Sequence, residues 1–179
     1  MYCGIDVGIK KCVAAVITDK VLWIGNYDEL EFEDLKAVGV DAPLSFPISG
    51  SYRECERRLI EMGIRLFPPK ASFFKKVSLK GIEIARKLTS KGFRVFEVYP
   101  YATRVILDIA PKVKKRKRSE TEKIRKELER FVEIPKSFQK MNHDELDAVI
   151  SALTVKLFFE GKGTEISGKD GSIIIPNKK

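Results

Sequence analysis

The sequence predicts one mixed α/β domain spanning residues 1–179: a five-stranded sheet flanked by helices and followed by a C-terminal hairpin. Three observations predict it. The chain opens with three short β-branched runs at hairpin separations. Two later apolar runs, Ala37–Ala42 and Arg94–Tyr99, alternate with helical periodicity, the pattern of helices packed on a sheet. And two of the apolar runs end in a carboxylate, Asp6 and Asp41. An unpaired buried charge costs several kcal/mol, so acids in such places call for a partner.

Taken in order, Tyr2–Val7, Cys12–Thr18 and Val21–Tyr27 are the three strands, separated by the turn signals Gly8-Ile9-Lys10-Lys11 and Thr18-Asp19-Lys20. Those separations make the three strands antiparallel. Asp28–Leu35 is expected to be a short acidic helix. Ala37–Ala42, apolar on both faces and stopped by Pro43, belongs inside a covered sheet. Arg53–Met62 and Val77–Ser90 have helical spacing and end before Gly63 and Gly92. Between them, Ile64–Lys76 holds Pro68-Pro69 and three Phe and reads as a loop, with core packing expected for Phe67, Phe73 and Phe74 and base stacking as the functional alternative. Arg94–Tyr99 is the fifth strand, closed by Pro100, and Tyr101–Ile109 is helical. Ser119 or Thr121 is expected to cap a charged helix. Asn142 and Glu145 have capping-box spacing at the start of a long helix to Phe159. The tail, Thr164–Ser167 and Ser172–Ile175 around Gly168–Gly171, is a hairpin.

With 44% hydrophobic and 33% charged residues the chain is of globular composition. No apolar run approaches the roughly 20 residues of a membrane span, and the first residues show no secretion signal, so a cytoplasmic protein is expected. Cys3, Cys12 and Cys55 are odd in number and lack C-x-x-C spacing, which argues for free thiols over a disulfide or zinc framework. The net charge of +9 favours an anionic partner.

Asp144 and Asp147 lie three apart on the last helix and so share a face, while Leu146, Val149, Ile150 and Leu153 form its apolar side. That arrangement brings the Asp pair to the sheet edge where Asp6 and Asp41 end their strands. Four carboxylates there suit a hard divalent cation, Mg²⁺ or Mn²⁺, and a two-metal site holds its ions about 4 Å apart. Three of the acids have a plainer role: Asp144 complements the helix dipole, and Asp6 and Asp41 suit turns at strand ends, whereas Asp147 lies further into the helix beside Ala148. Together they are better explained as a site. His143, the one histidine, is a candidate proton shuttle or an ordinary helix-start residue. Lys112–Arg118 has six basic residues in seven (Lys112, Lys114, Lys115, Arg116, Lys117 and Arg118), the strongest footprint for a nucleic-acid backbone. Arg53, Arg57 and Arg58, read onto one short helix, are further candidates for phosphate contact.

Gly4-Ile5-Asp6-Val7-Gly8 before an antiparallel strand, and Asp144-x-x-Asp147-Ala148 on a late helix, resemble RuvC-type and YqgF-type nucleases of the RNase H-like superfamily. The chain more closely resembles domain-of-unknown-function family 429, identified with RNase H-like nucleases. That likeness runs through Asp41-Ala42-Pro43-Leu44, Arg53-Glu54-Cys55-Glu56-Arg57-Arg58-Leu59, Leu66-Phe67-Pro68-Pro69, Glu97-Val98-Tyr99-Pro100 and His143-Asp144-Glu145-Leu146-Asp147-Ala148. The resemblance implies an RNase H-like fold and a metal-dependent nuclease or resolvase that hydrolyses phosphodiesters of nucleic acid. It implies Asp6 and Asp147 as core metal ligands, Asp41 as the second-strand acid, Asp144 as a further ligand or outer acid, and Glu97 as an additional candidate. RuvC-type enzymes commonly carry Glu on the second acidic strand where this chain has Asp41. A junction substrate would call for a homodimer. Two other functions compete: a nucleic-acid-binding protein that has lost the chemistry, and an actin-like or sugar-kinase-like nucleotide binder, whose phosphate loop also opens with Gly-Ile-Asp-x-Gly but whose fold needs a second domain.

Overall fold

The computed structural model describes residues 1–31, 34–113 and 118–178. Strands β1 (Tyr2–Val7), β2 (Cys12–Ile17) and β3 (Val21–Asn26) form an antiparallel meander. Strands β4 (Ala37–Asp41) and β5 (Val95–Glu97) then add parallel to β1, giving the order β3-β2-β1-β4-β5. This is the expected five-stranded mixed sheet, and β4 is a buried inner strand, as its apolar faces required.

Helices cover both faces. Cys3, Ile5 and Val7 of β1 and Val38 and Val40 of β4 pack with Ile84 and Leu88 of α2 (Lys75–Ser90) on one side. Val13, Ala15 and Ile17 of β2 pack on the other with Leu146, Val149, Ile150 and Leu153 of the last long helix (His143–Phe159). Helix α1 (Glu54–Glu61) precedes α2, and α3 (Pro100–Ile106) and α4 (Arg118–Leu128) follow it, which makes the last helix α5. The hairpin β6 (Gly163–Gly168) and β7 (Gly171–Pro176) packs Ile173 and Ile175 against Cys55 and Leu59 of α1, and Ile174 bridges to Val98 beside β5. Among the described residues, no helix is long and apolar enough to cross a membrane.

Two local expectations are corrected. Among the described residues, only Tyr27–Glu29 forms a helical turn, of 3-10 type, where an acidic helix was expected over 28–35. The reason is topological. β3 and β4 both run parallel to β1, so the ten residues between Asn26 and Ala37 must return the length of a strand, about 20 Å, and cross three strand spacings, about 14 Å. An eight-residue α-helix spans only about 12 Å. Second, α4 starts at Arg118, so Ser119 and Thr121 lie inside it, and the Thr121 hydroxyl donates back to the Arg118 carbonyl. The Asn142 cap is as expected: its side chain accepts from Glu145 N while Glu145 accepts from Asn142 N.

All three cysteines are buried free thiols. Burial pushes Cys3 up to about 12 and Cys55 up to about 11, which keeps both protonated and unreactive at neutral pH.

Candidate active site

A pattern repeated in two strands builds the site. Gly4-x-Asp6 in β1 and Gly39-x-Asp41 in β4 pair residue for residue, Gly4 with Gly39 and Asp6 with Asp41. Residues two apart share a face of a strand, so each glycine and its acid face the same side. That side meets α5. A Cβ on Gly4 would lie 2.1 Å from the Ala148 carbonyl oxygen and 2.3 Å from the Ala152 nitrogen. A Cβ on Gly39 would lie 2.9 Å from the Ser151 carbonyl oxygen and 2.6 Å from the Val155 side chain. The two glycines therefore let the helix backbone rest directly on the sheet. Asp147 lies one turn before Ser151, so this contact carries it to the strand ends where Asp6 and Asp41 emerge.

The result is a compact acidic group. Asp6, Asp41 and Asp147 are each half-buried, and one carboxylate oxygen from each lies within 4.8 Å of the other two. Three acids from separate elements, offering only hard oxygen donors at that spacing, fit a hard divalent cation. Asp6 and Asp41 border a cleft of about 270 Å³ walled by Pro43, Phe67, Phe74, Val77 and Tyr99. Burial, followed by the charges of Asp41, Tyr101 and Asp147, holds the Tyr99 phenol well above its usual range. Its hydroxyl donates to the Arg65 carbonyl at 2.8 Å. Arg104 is lowered by burial against the opposing pull of Asp147. It donates to the carbonyls of Ile109, Ala110 and Val113. It thus ties the root of the basic segment to a residue that feels the acid group.

The other candidates lie elsewhere. Asp144 is outside the three-carboxylate group; its Oδ1 is 2.6 Å from His143 Nδ1, and both side chains are about half exposed. It sits one turn nearer the start of α5, about 4.5 Å further along the axis. Glu97 closes β5 and borders the cleft, but its oxygens are engaged: Oε2 accepts from Arg53 Nη1 and Leu44 N, both at 2.7 Å, and Oε1 from Arg53 Nη2 at 2.5 Å. Burial pushes the Glu97 carboxyl up against the pull of Arg53.

Arg53 cannot serve as a surface phosphate contact. It precedes α1, is fully buried, and also holds Glu56 at 2.9 Å. Burial opposes its charge, but Glu97 and Glu56 outweigh that and keep it cationic. Arg57 and Arg58 are exposed, the latter paired with Glu54 at 2.7 Å. Lys112 and Arg118 are exposed, while Lys114, Lys115, Arg116 and Lys117 lie outside the described residues.

Core packing was expected for the loop phenylalanines, yet Phe67 and Phe73 are 60% and 62% exposed. Two prolines keep the loop from folding onto the sheet as a helix or strand. Sequence reasoning also passed over Tyr99, Arg104 and the lysines that open α2. The glycine two residues before each strand acid was the signal available for the site itself.

No curated protein matches the sequence. Among solved structures, the Thermus thermophilus RuvC structure aligns over 95% of this chain and 98% of that chain, at 14% identity and a TM-score of 0.47. The family described as "Protein of unknown function (DUF429)" matches residues 4–171, nearly the whole length, and the chain belongs to that family.

Proposed function

We propose that this protein is a divalent-metal-dependent nuclease or resolvase that hydrolyses phosphodiester bonds of nucleic acid. The observation that carries the reading is the convergence of Asp6, Asp41 and Asp147 from three separate elements to within 4.8 Å. Carboxylates this close repel one another, and a shared divalent cation relieves that repulsion. The three carboxylates would hold Mg²⁺ or Mn²⁺, with Asp144 one turn away as an outer acid. When bound, the cation neutralises charge on the phosphodiester and makes water a better nucleophile.

The protein's own contribution is positioning. Gly4 and Gly39 fix the distance between α5 and the strands, so the acids are set before substrate arrives. Glu97 holds the Leu44 amide and with it the segment that follows Asp41. The net charge of +9 and the basic segment that begins beside Arg104 favour a polyanion over a small neutral substrate.

The test is cleavage of labelled single strands, duplexes and junctions of DNA and RNA, with Mg²⁺, Mn²⁺ or chelator. Metal-dependent cleavage should fall by roughly a hundredfold or more in Asp6→Asn, with the circular-dichroism spectrum of the variant matching that of the parent. Cleavage unchanged by that substitution would remove the acid cluster from the chemistry. Salt-sensitive binding without cleavage would favour a binding protein on the same fold.

A further inference from the structure

Beside the acid cleft the chain leaves aromatic rings in water. Phe67 and Phe73 meet edge to face with centroids 5.4 Å apart, and Phe74 tilts against them at 6.2 and 6.5 Å. Phe67 and Phe74 also wall the cleft that holds Asp6 and Asp41. On its outer side Phe67 continues into a second groove of about 620 Å³, which includes Leu66, Tyr99 and Tyr101. Large apolar side chains gathered and exposed in one place mark a contact surface.

The surroundings identify what makes the contact. Phe73 and Phe74 lead directly into α2, where Lys75 and Lys76 are exposed and the first turn carries no acid. A surface of aromatic rings beside cations matches a strand that offers base faces to the rings and phosphates to the lysines. Bases inside a duplex present only their edges, so stacking on these rings requires unpaired ones. Because Phe67 and Phe74 share a wall with the carboxylates, a base held there sets its neighbouring phosphate toward the acids.

We propose that Phe67 and Phe73 form a stacking platform for an unpaired base of a nucleic-acid strand whose phosphates pass Lys75 and Lys76 toward the acid cluster. This rests on the reading of the cleft as a phosphodiester site and narrows its substrate to strands with unpaired bases.

The experiment measures binding without chemistry. The full chain, in chelator, is titrated with a fluorescein-labelled single strand, the corresponding duplex, and a single strand carrying 2-aminopurine. The single strand should bind more tightly than the duplex, and 2-aminopurine emission should fall on binding. Phe67→Ala with Phe73→Ala should weaken single-strand binding by about tenfold to a hundredfold and abolish the quench, while Phe67→Trp restores it. Both rings are exposed, so thermal unfolding of the variants should match the parent. Wild-type affinity in the double alanine variant, or equal binding of duplex and single strand without a quench, overturns the platform. So does a parent dimer that the alanine substitutions convert to monomer, since the patch would then be a contact between copies. The two readings fail separately. Ring-dependent binding without cleavage under any metal sinks the nuclease alone. Metal-dependent cleavage indifferent to the rings sinks the platform alone.

Discussion

Replacing Glu97 separates a structural brace from a metal ligand. The carboxylate borders the acid cleft, yet three donors already claim its two oxygens: both Arg53 terminal nitrogens and the Leu44 amide. The Arg53 side chain is fully buried and that of Glu97 is 6% exposed. Glu97→Ala leaves a buried guanidinium with Glu56 as its remaining carboxylate, and breaking a buried pair on one side costs about 3–5 kcal/mol. At 2–4 °C per kcal/mol for a chain of this size, the unfolding temperature should fall by roughly 6–20 °C. Glu97→Gln keeps the shape and can still accept from Leu44, so its loss should be nearer the roughly 1.5–3 kcal/mol of hydrogen bonds to a charged group. Arg53→Met should be as damaging as Glu97→Ala, because it strands two carboxylates. The assay is thermal unfolding in chelator, alongside Mn²⁺ titration by calorimetry. The brace reading requires a large stability loss without metal and a retained manganese site in Glu97→Gln. It is refuted if Glu97→Gln unfolds at the parental temperature while manganese binding disappears.

Two further outcomes follow from the same structure. Gly4→Ala puts a Cβ 2.1 Å from the Ala148 carbonyl, where contacts under 3.0 Å do not occur, so α5 must retreat by roughly 1 Å. That should cost about 1–3 kcal/mol and weaken manganese binding by moving Asp147; unchanged affinity would break the link between glycine packing and the acid cluster. Acid should loosen the hairpin. Hydrogen bonds from the Glu54 and Ile48 amides hold the Asp170 carboxyl below its usual 3.8, and the Lys169 amide, with Arg58, holds Glu54 below its usual 4.5. Both pKa values are depressed on folding, so the contribution is present above the unfolded values and is lost as pH falls through the lower, folded ones. Hydrogen exchange at the Glu54 and Lys169 amides should accelerate relative to core amides as pH drops below about 4; Asp170→Asn should remove most of that dependence at Glu54, and its persistence there would assign the effect elsewhere.

Much of the fold could be read from local pattern because its strands and helices satisfy local rules. β1, β2 and β3 are β-branched runs between turn residues, and α5 announces itself through Asn142, Glu145 and its apolar face. The segment after Asn26 could not be read that way. Its acids suit a helix, but the distance from β3 to β4 decides, and that distance exists only once the sheet order is known. The site divides likewise. Asp6 and Asp41 stood out as charges ending apolar strands, and their registry in adjacent parallel strands joins them. Sharing a helical face with Asp147 does not bring Asp144 to the same place, because one turn of rise separates them and leaves Asp144 outside the three-carboxylate group. Arg53 looked like one of three phosphate-binding arginines, whereas Glu56 and Glu97, distant in sequence or hidden in a helix pattern, claim it for the interior.

The most direct test of the central claim is anomalous diffraction from crystals soaked in Mn²⁺. Manganese should be bound by Asp6, Asp41 and Asp147, and should be lost from the same position in Asp147→Asn crystals. Manganese absent from that cluster at saturating concentration, with the three carboxylates ordered and apart, would contradict it.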